Sequence, residues 1–146
     1  MDAYRKHLQG DVSLSSLAIQ ETWNFEGALR NVTEARECAA TFLRCLEQVK
    51  PPTSPEAYDD VLLVITELTS NAFTYAPGPF SLRMCAVADT VEIALTDTNP
   101  TSPKPRPPDL TGQGGIGWHL INTLAEQTVT VQGSEGKTVH AFLPWR

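Results

Sequence analysis

Two apolar stripes at helical spacing, parted by a proline pair and followed at once by alternation, constrain this chain most. Val32, Ala35, Cys38, Ala39, Phe42, Leu43, Leu46 and Val49 recur at intervals of three and four residues, the mark of a helix over Asn31 to Val49 with one buried face. Asn31 with Glu34 three residues on predicts a capping box at its start. Pro51 and Pro52 end it, because proline has no N–H to continue the ladder. A second stripe, Val61, Leu62, Ile65, Leu68, Thr69 and Ala72, predicts another helix. Ser54-Pro55-Glu56 is its expected entry: a hydroxyl cap, a proline at the first helical position and a carboxylate on the positive end of the dipole. Pro77-Gly78 is its expected stop. The period then drops to two. Phe80 to Val87 and Thr90 to Thr96 read as strands joined by a tight Ala88-Asp89 turn. Val91, Ile93 and Leu95 alternate cleanly, as in a sheet with one covered face.

The flanks complete the pattern. Ala18 to Phe25, with Trp23 and Phe25, reads as an edge strand. Trp118 to Gln127 predicts a third helix with Leu120, Ile121, Leu124 and Ala125 facing inward. Thr128 to Gln132 and Lys137 to Leu143 form a closing hairpin around Gly133-Ser134-Glu135-Gly136. Helices segregated from a mostly antiparallel sheet give an α+β fold, a two-layer sandwich with three helices on one face. The expected organisation is a tail or arm over residues 1–17 and one domain over 18–146, which suits a chain of 146 residues.

Charge and composition exclude several classes. The formal net charge of −6 argues against nucleic acid as a direct ligand. No apolar run approaches the ~18 residues of a membrane span, and no basic region followed by an apolar core marks a secretory leader. Cys38, Cys45 and Cys85 show no CxxC or other metal spacing. They read as small core residues in a reducing cytoplasm. An anionic ligand would have to be held by local devices: helix N-termini, a cation and a few basic side chains.

Such devices are present. Glu67 and Asn71 lie four residues apart, so they project together from an otherwise apolar helix, where polar groups are costly without partners. Ser70 and Thr74 extend the polar stripe. A half-buried Glu67 suits a general base, and Asn71 offers an oxygen ligand to Mg²⁺. A carboxylate bonded to backbone and an amide capping a loop are the structural alternatives. Asp97 ends a strand, either as a turn former or as an acceptor for an exocyclic amine of adenine. The proline-rich stretch after it reads as a long mobile loop, which in a small domain is usually functional or disordered. It ends in Gly112-Gln113-Gly114-Gly115-Ile116-Gly117, four glycines in six residues at the opening of a helix. Backbone N–H groups there can approach phosphate oxygens closely. No βαβ unit and no GK[ST] accompany them, so neither a dinucleotide fingerprint nor a P-loop is indicated; a plain hinge would have the same composition.

Taken together, Glu67 with Asn71, Asp97-Thr98-Asn99-Pro100, the Gly112 to Gly117 run and Gly136-Lys137-Thr138 resemble the GHKL, or Bergerat-fold, ATPases. Within them the chain is most similar to the small anti-sigma-factor serine kinases, over about residues 20 to 146. The resemblance implies ATP and Mg²⁺ as cofactors. It makes Glu67 the general base, Asn71 the Mg²⁺ ligand, and Asp97 the adenine reader, with Thr138 supporting the base through water. Thr74 and Tyr75 fall in the nucleotide-binding segment. Gly112, Gly114, Gly115, Ile116 and Gly117 contact phosphate, and residues 99–114 form the ATP lid. It further implies a cytoplasmic homodimer that binds a sigma factor and phosphorylates a serine or threonine of an antagonist protein. Tyr75 stands where the motif usually has histidine, Asn99-Pro100 where many relatives have glycine, and Gln113 where a basic residue is frequent. Lys104 and Arg106 in the lid either compensate or are solvated loop charges. These departures leave open a second reading, a nucleotide-gated partner-binding regulator with little turnover. A histidine-kinase catalytic domain fits less well, since His7, His119 and His140 lack the setting of a phosphoacceptor.

Overall fold

The computed structural model describes residues 18–98 and 116–146. Alternating sequences become strands β1 (Ala18–Phe25), β2 (Phe80–Val87), β3 (Thr90–Asp97), β4 (Gln127–Gln132) and β5 (Lys137–Pro144). They form one antiparallel sheet in the order β1-β2-β3-β5-β4, with β1 at an edge as expected. Register follows the apolar pattern. Leu82 faces Leu95, and Leu95 faces Val139; Met84, Ile93 and Ala141 make the next row, and Ala86, Val91 and Leu143 the third. All nine are buried. A slip by one residue would turn every one of them to solvent, so this pairing is strongly specified.

The stripes become α1 (Arg30–Val49), α2 (Ala57–Tyr75) and α3 (Ile116–Leu124). Helices α1 and α2 pack on each other and on the sheet, and α3 leans chiefly on α2. Phe42, Leu43, Leu46, Val61, Val64, Ile65, Leu68 and Ile121 fill the layer between them. Each such side chain contributes about 1.5–3 kcal/mol through burial. Among the described residues, no helix is long and apolar enough to cross a membrane.

Helix boundaries depart from the sequence expectation at four points, one of them the start of α3 at Ile116 where Trp118 was expected. Helix α1 begins one residue early, so Asn31 lies inside the first turn and forms no capping box. Its carboxamide oxygen accepts from the Gly27 and Ala28 N–H groups at 2.9 and 2.8 Å, while its amide donates to Glu34 at 2.6 Å. The pair ties down the loop before the helix. Ser54-Pro55-Glu56 forms a separate turn, with Ala57 N–H bonded to the Ser54 carbonyl at 3.3 Å and the Ser54 hydroxyl donating to Glu56 at 2.8 Å. Helix α3 stops at Leu124 and Gln127 opens β4. There the Glu126 N–H donates to the Phe142 carbonyl at 2.8 Å, so the sheet captures the chain that the helical pattern would have continued.

The two ends of the sandwich differ. At one end Trp145, 1% exposed, donates its indole N–H to the Lys50 carbonyl at 2.8 Å and its backbone N–H to the Asp89 carbonyl at 2.7 Å. The hairpin turn there places Ala88 in the left-handed region, with φ of 52°. At the other end, where Asp97 pairs with Lys137, loops meet backbone to backbone. A Cβ on Gly27, whose φ is 96°, would collide with the Gly78 carbonyl, so only glycine fits.

Candidate functional site

Helix α2 carries its polar stripe toward this glycine-rich end. Leu68, Thr69 and Ala72 are buried, while Glu67, Ser70 and Asn71 are half-buried and Thr74 and Tyr75 exposed. Thr69 resolves its burial by donating to the Ile65 carbonyl at 2.8 Å. The half-buried residues run along the flank of α2 that α1 and the sheet leave uncovered. There α3 crosses, anchored by the buried Ile121 with Trp118, Leu124 and Ala125 partly buried against the core. The crossing brings Glu67 onto Gly117. Glu67 Oε2 fills the space that a Cβ on Gly117 would take, with Glu67 Cδ 3.2 Å from that point. The carboxylate therefore sits at the opening of α3, with Asn71 one turn further along α2.

Asp97 ends β3 as expected, on the same end of the sheet. Its carboxylate is 2.8 Å from Lys137 Nζ, and the two side chains are only 4% and 8% exposed. Glycines crowd this pair: a Cβ on Gly136 would strike the Asp97 carbonyl, and one on Gly78 would lie 3.1 Å from Thr98 Oγ1. Thr138 does not join them. It pairs with Thr96 across the β3–β5 ladder, hydroxyl to hydroxyl at 2.8 Å, on the face turned away from the helices. The residue beside Asp97 is Lys137, to which sequence reasoning gave no role. The signal was available: Val139, Ala141 and Leu143 face inward, and counting back by two reaches Lys137 rather than Thr138.

Of the other expected site residues, Gly112, Gly114 and Gly115 lie outside the described residues, as do the lid over 99–114 and Lys104, Arg106 and Gln113 within it. Ile116 is the first residue of α3. Among the described residues no group of three His, Cys, Asp or Glu could hold a metal. Mg²⁺ needs little more than one protein oxygen when phosphates and water supply the rest, and the Asn71 carboxamide is such an oxygen. His119 is exposed. His140 lies on the outer face of the sheet, with Nδ1 2.7 Å from Glu92, which also pairs with Arg83 at 3.2 Å. The three cysteines are free and only half-buried. Burial pushes the Cys38 thiol up, helped by Glu21, Glu34 and Glu37. Burial also raises Cys85, against the opposing pull of Arg83.

Comparison with known proteins bears on the fold and the family. The family model of the histidine kinase-like ATPase domain matches residues 25–142. A crystal structure of the RsbU and RsbW domains of Rv1364c from Mycobacterium tuberculosis superposes with a TM-score of 0.59 at 13% identity, over 86% of this chain and 32% of that one. That likeness shows the fold, and this chain spans about a third of that chain's length. A histidine kinase domain from the Erythrobacter litoralis EL346 blue-light activated histidine kinase aligns at 16% identity over 62% of this chain and 45% of that one, with a TM-score of 0.41. No curated protein matches the chain. With the family model running from the last residue of β1 to near the end of β5, over the very strands and helices that carry Glu67, Asn71 and Asp97, the chain belongs to the histidine kinase-like ATPase domain family.

Proposed function

We propose that this protein is an ATP-binding anti-sigma factor that phosphorylates a serine or threonine of an antagonist protein. The observation that carries the proposal is the apposition of the Glu67 carboxylate with Gly117, where the phosphate-binding loop would enter α3. A base at that place reaches the hydroxyl that attacks the γ-phosphate. Glu67 accepts the hydroxyl proton as the new oxygen–phosphorus bond forms, the bond from γ-phosphorus to the β–γ bridging oxygen breaks, and ADP departs. Backbone N–H groups of Gly112, Gly114, Gly115, Ile116 and Gly117 would hold the phosphates at the positive end of α3. Asn71 would ligate Mg²⁺, which when bound neutralises charge on the phosphates. Thr74 and Tyr75 close the same turn of α2, and the Asp97 carboxylate would accept the exocyclic amine of adenine. The RsbW domain named in the superposed structure supports the regulatory part of the reading. The working unit is taken as a cytoplasmic homodimer binding a sigma factor and its antagonist.

Incubation of purified protein with Mg-ATP and the antagonist should transfer labelled phosphate. Glu67→Ala should still bind ATP yet transfer at least about a hundredfold more slowly, the lower end of the usual general-base contribution. Transfer at the wild-type rate would remove Glu67 as the base. Tyr75, 39% exposed at the end of α2 where the family motif usually has histidine, favours a second reading: a regulator gated by nucleotide with little turnover. Calorimetric ATP binding, together with an antagonist that stays unmodified for hours, would select it.

A further inference from the structure

Lys137 is a buried ammonium that the expected chemistry leaves unused. Taking such a charge out of water is costly unless it is paired and hydrogen-bonded, and its partner is Asp97, 2.8 Å away. Both side chains retain a small exposure, 8% for Lys137 and 4% for Asp97. They sit at the glycine-lined end of the sheet, on the helix-covered face, where the proposed function puts the nucleobase. Thr138, the next residue, pairs with Thr96 on the opposite face.

From this pair we infer that the base site reads a purine edge with an ammonium beside a carboxylate, and therefore takes 6-oxopurine nucleotides, GTP and ITP, as well as ATP. The inference rests on the nucleotide-binding reading above. A carboxylate only accepts hydrogen bonds, and an ammonium only donates them. Asp97 alone would welcome the 6-amino group of adenine and repel the 6-oxo group of guanine, because lone pairs would face lone pairs. Lys137 removes that exclusion. With adenine, Asp97 accepts from the 6-amino group and Lys137 stays on Asp97 as its counter-ion. With guanine or hypoxanthine, Lys137 donates to O6 and Asp97 accepts from N1–H. The four-carbon stem of lysine allows the small displacement between the two poses.

Titration calorimetry on the full chain with Mg-ATP, Mg-GTP and Mg-ITP tests it. Wild type should bind all three within about tenfold of one another. Lys137→Met and Lys137→Thr should each lose GTP and ITP affinity by about tenfold to a hundredfold more than ATP affinity, the worth of one charge-assisted hydrogen bond. ITP separates this from recognition of the 2-amino group, which it lacks. If wild type binds ATP and neither GTP nor ITP, the inference is overturned while the nucleotide reading stands. If none of the three binds, both fail. Equal losses for all three nucleotides in the folded variants would also overturn it, leaving Lys137 as a structural counter-ion. Thermal melts establish which variants fold, and should neither do so, the wild-type series decides alone.

Discussion

The Glu67 carboxylate occupies the place where a side chain on Gly117 would begin. One residue stands midway along α2 and the other is the second residue of α3, so the contact sets how closely the two helices approach at the seam. The obstacle to a larger residue is the tip of a flexible side chain, not backbone. Gly117→Ala should therefore fold, and the change from glycine within a helix offers up to about 1 kcal/mol of stabilisation. The cost falls on function, because the carboxylate must move aside. A misplacement of this order can lower a rate by about a hundredfold. The expected result is a melting temperature no lower than wild type together with a large loss of single-turnover phosphate transfer. Unaltered transfer would show that Glu67 acts from elsewhere or not at all.

Breaking the Asp97–Lys137 pair should cost more than replacing it. Lys137→Met leaves the buried Asp97 carboxylate without that counter-ion, and Asp97→Asn does the same to the ammonium, each a loss of about 3–5 kcal/mol. The double variant Asp97→Asn with Lys137→Met removes both charges and should recover much of that loss. Urea denaturation of both single variants and the double gives the coupling directly. Additive effects would mean that the two charges do not stabilise each other.

Acid should remove a small surface contribution at the opposite end of the sandwich, the Asp89–Lys50 pair. Hydrogen bonding to Lys50, and the Lys50 charge, hold the Asp89 carboxyl below its usual range. A carboxylate with a depressed folded pKa adds stability above its unfolded value of about 3.9 and loses that contribution as pH falls through the folded value. Lys50→Met should lower the melting temperature at pH 7, and the gap to wild type should narrow as pH drops below about 3.9. Part of the gap will persist, because Lys50 also donates to the Ala88 carbonyl. A gap that widened in acid would reverse the assignment.

Alkylation offers a check on the α1 surface. Burial and the carboxylates of Glu21, Glu34 and Glu37 push the Cys38 thiol up, which lowers its thiolate fraction at pH 8. Iodoacetamide should modify Cys38 more slowly than a free thiol of ordinary pKa, about 8.5. Glu21→Gln should speed the reaction at pH 8, and mass spectrometry of the tryptic peptide would follow it. No acceleration would remove Glu21 as a cause and leave desolvation with Glu34 and Glu37.

The strands were legible because alternation in Val91, Ile93 and Leu95 has one solution on a half-covered sheet, and β1 and β2 emerged with the expected bounds. The helical stripes were equally plain, and Glu67 and Asn71 lie on the partly open flank that their spacing predicted. What failed were decisions made by partners outside each helical stripe. Asn31 prefers two loop N–H groups before the helix to a cap of its own. Glu126 and Gln127 leave the helical pattern because β5 offers them a ladder. Lys137 was passed over because the motif was aligned by residue type at Thr138, whereas the pleat, counting by twos, sets Lys137 opposite Asp97. The encounter of Glu67 with Gly117 depends on how α3 lies across α2, and no local pattern encodes that angle.

Trp145 lies roughly 24 Å along the strands from Asp97, as an eight-residue β3 requires. Shielded from water and tethered at both nitrogens, it is a fluorophore that responds when the sandwich comes apart. Trp118, one residue beyond Gly117 and only partly covered, is the indole placed to sense what happens at the seam. Besides Trp23 on β1, the protein thus carries two indoles in contrasting settings: Trp145 should emit to the blue and register global unfolding, and the more solvated Trp118 should register changes beside Gly117.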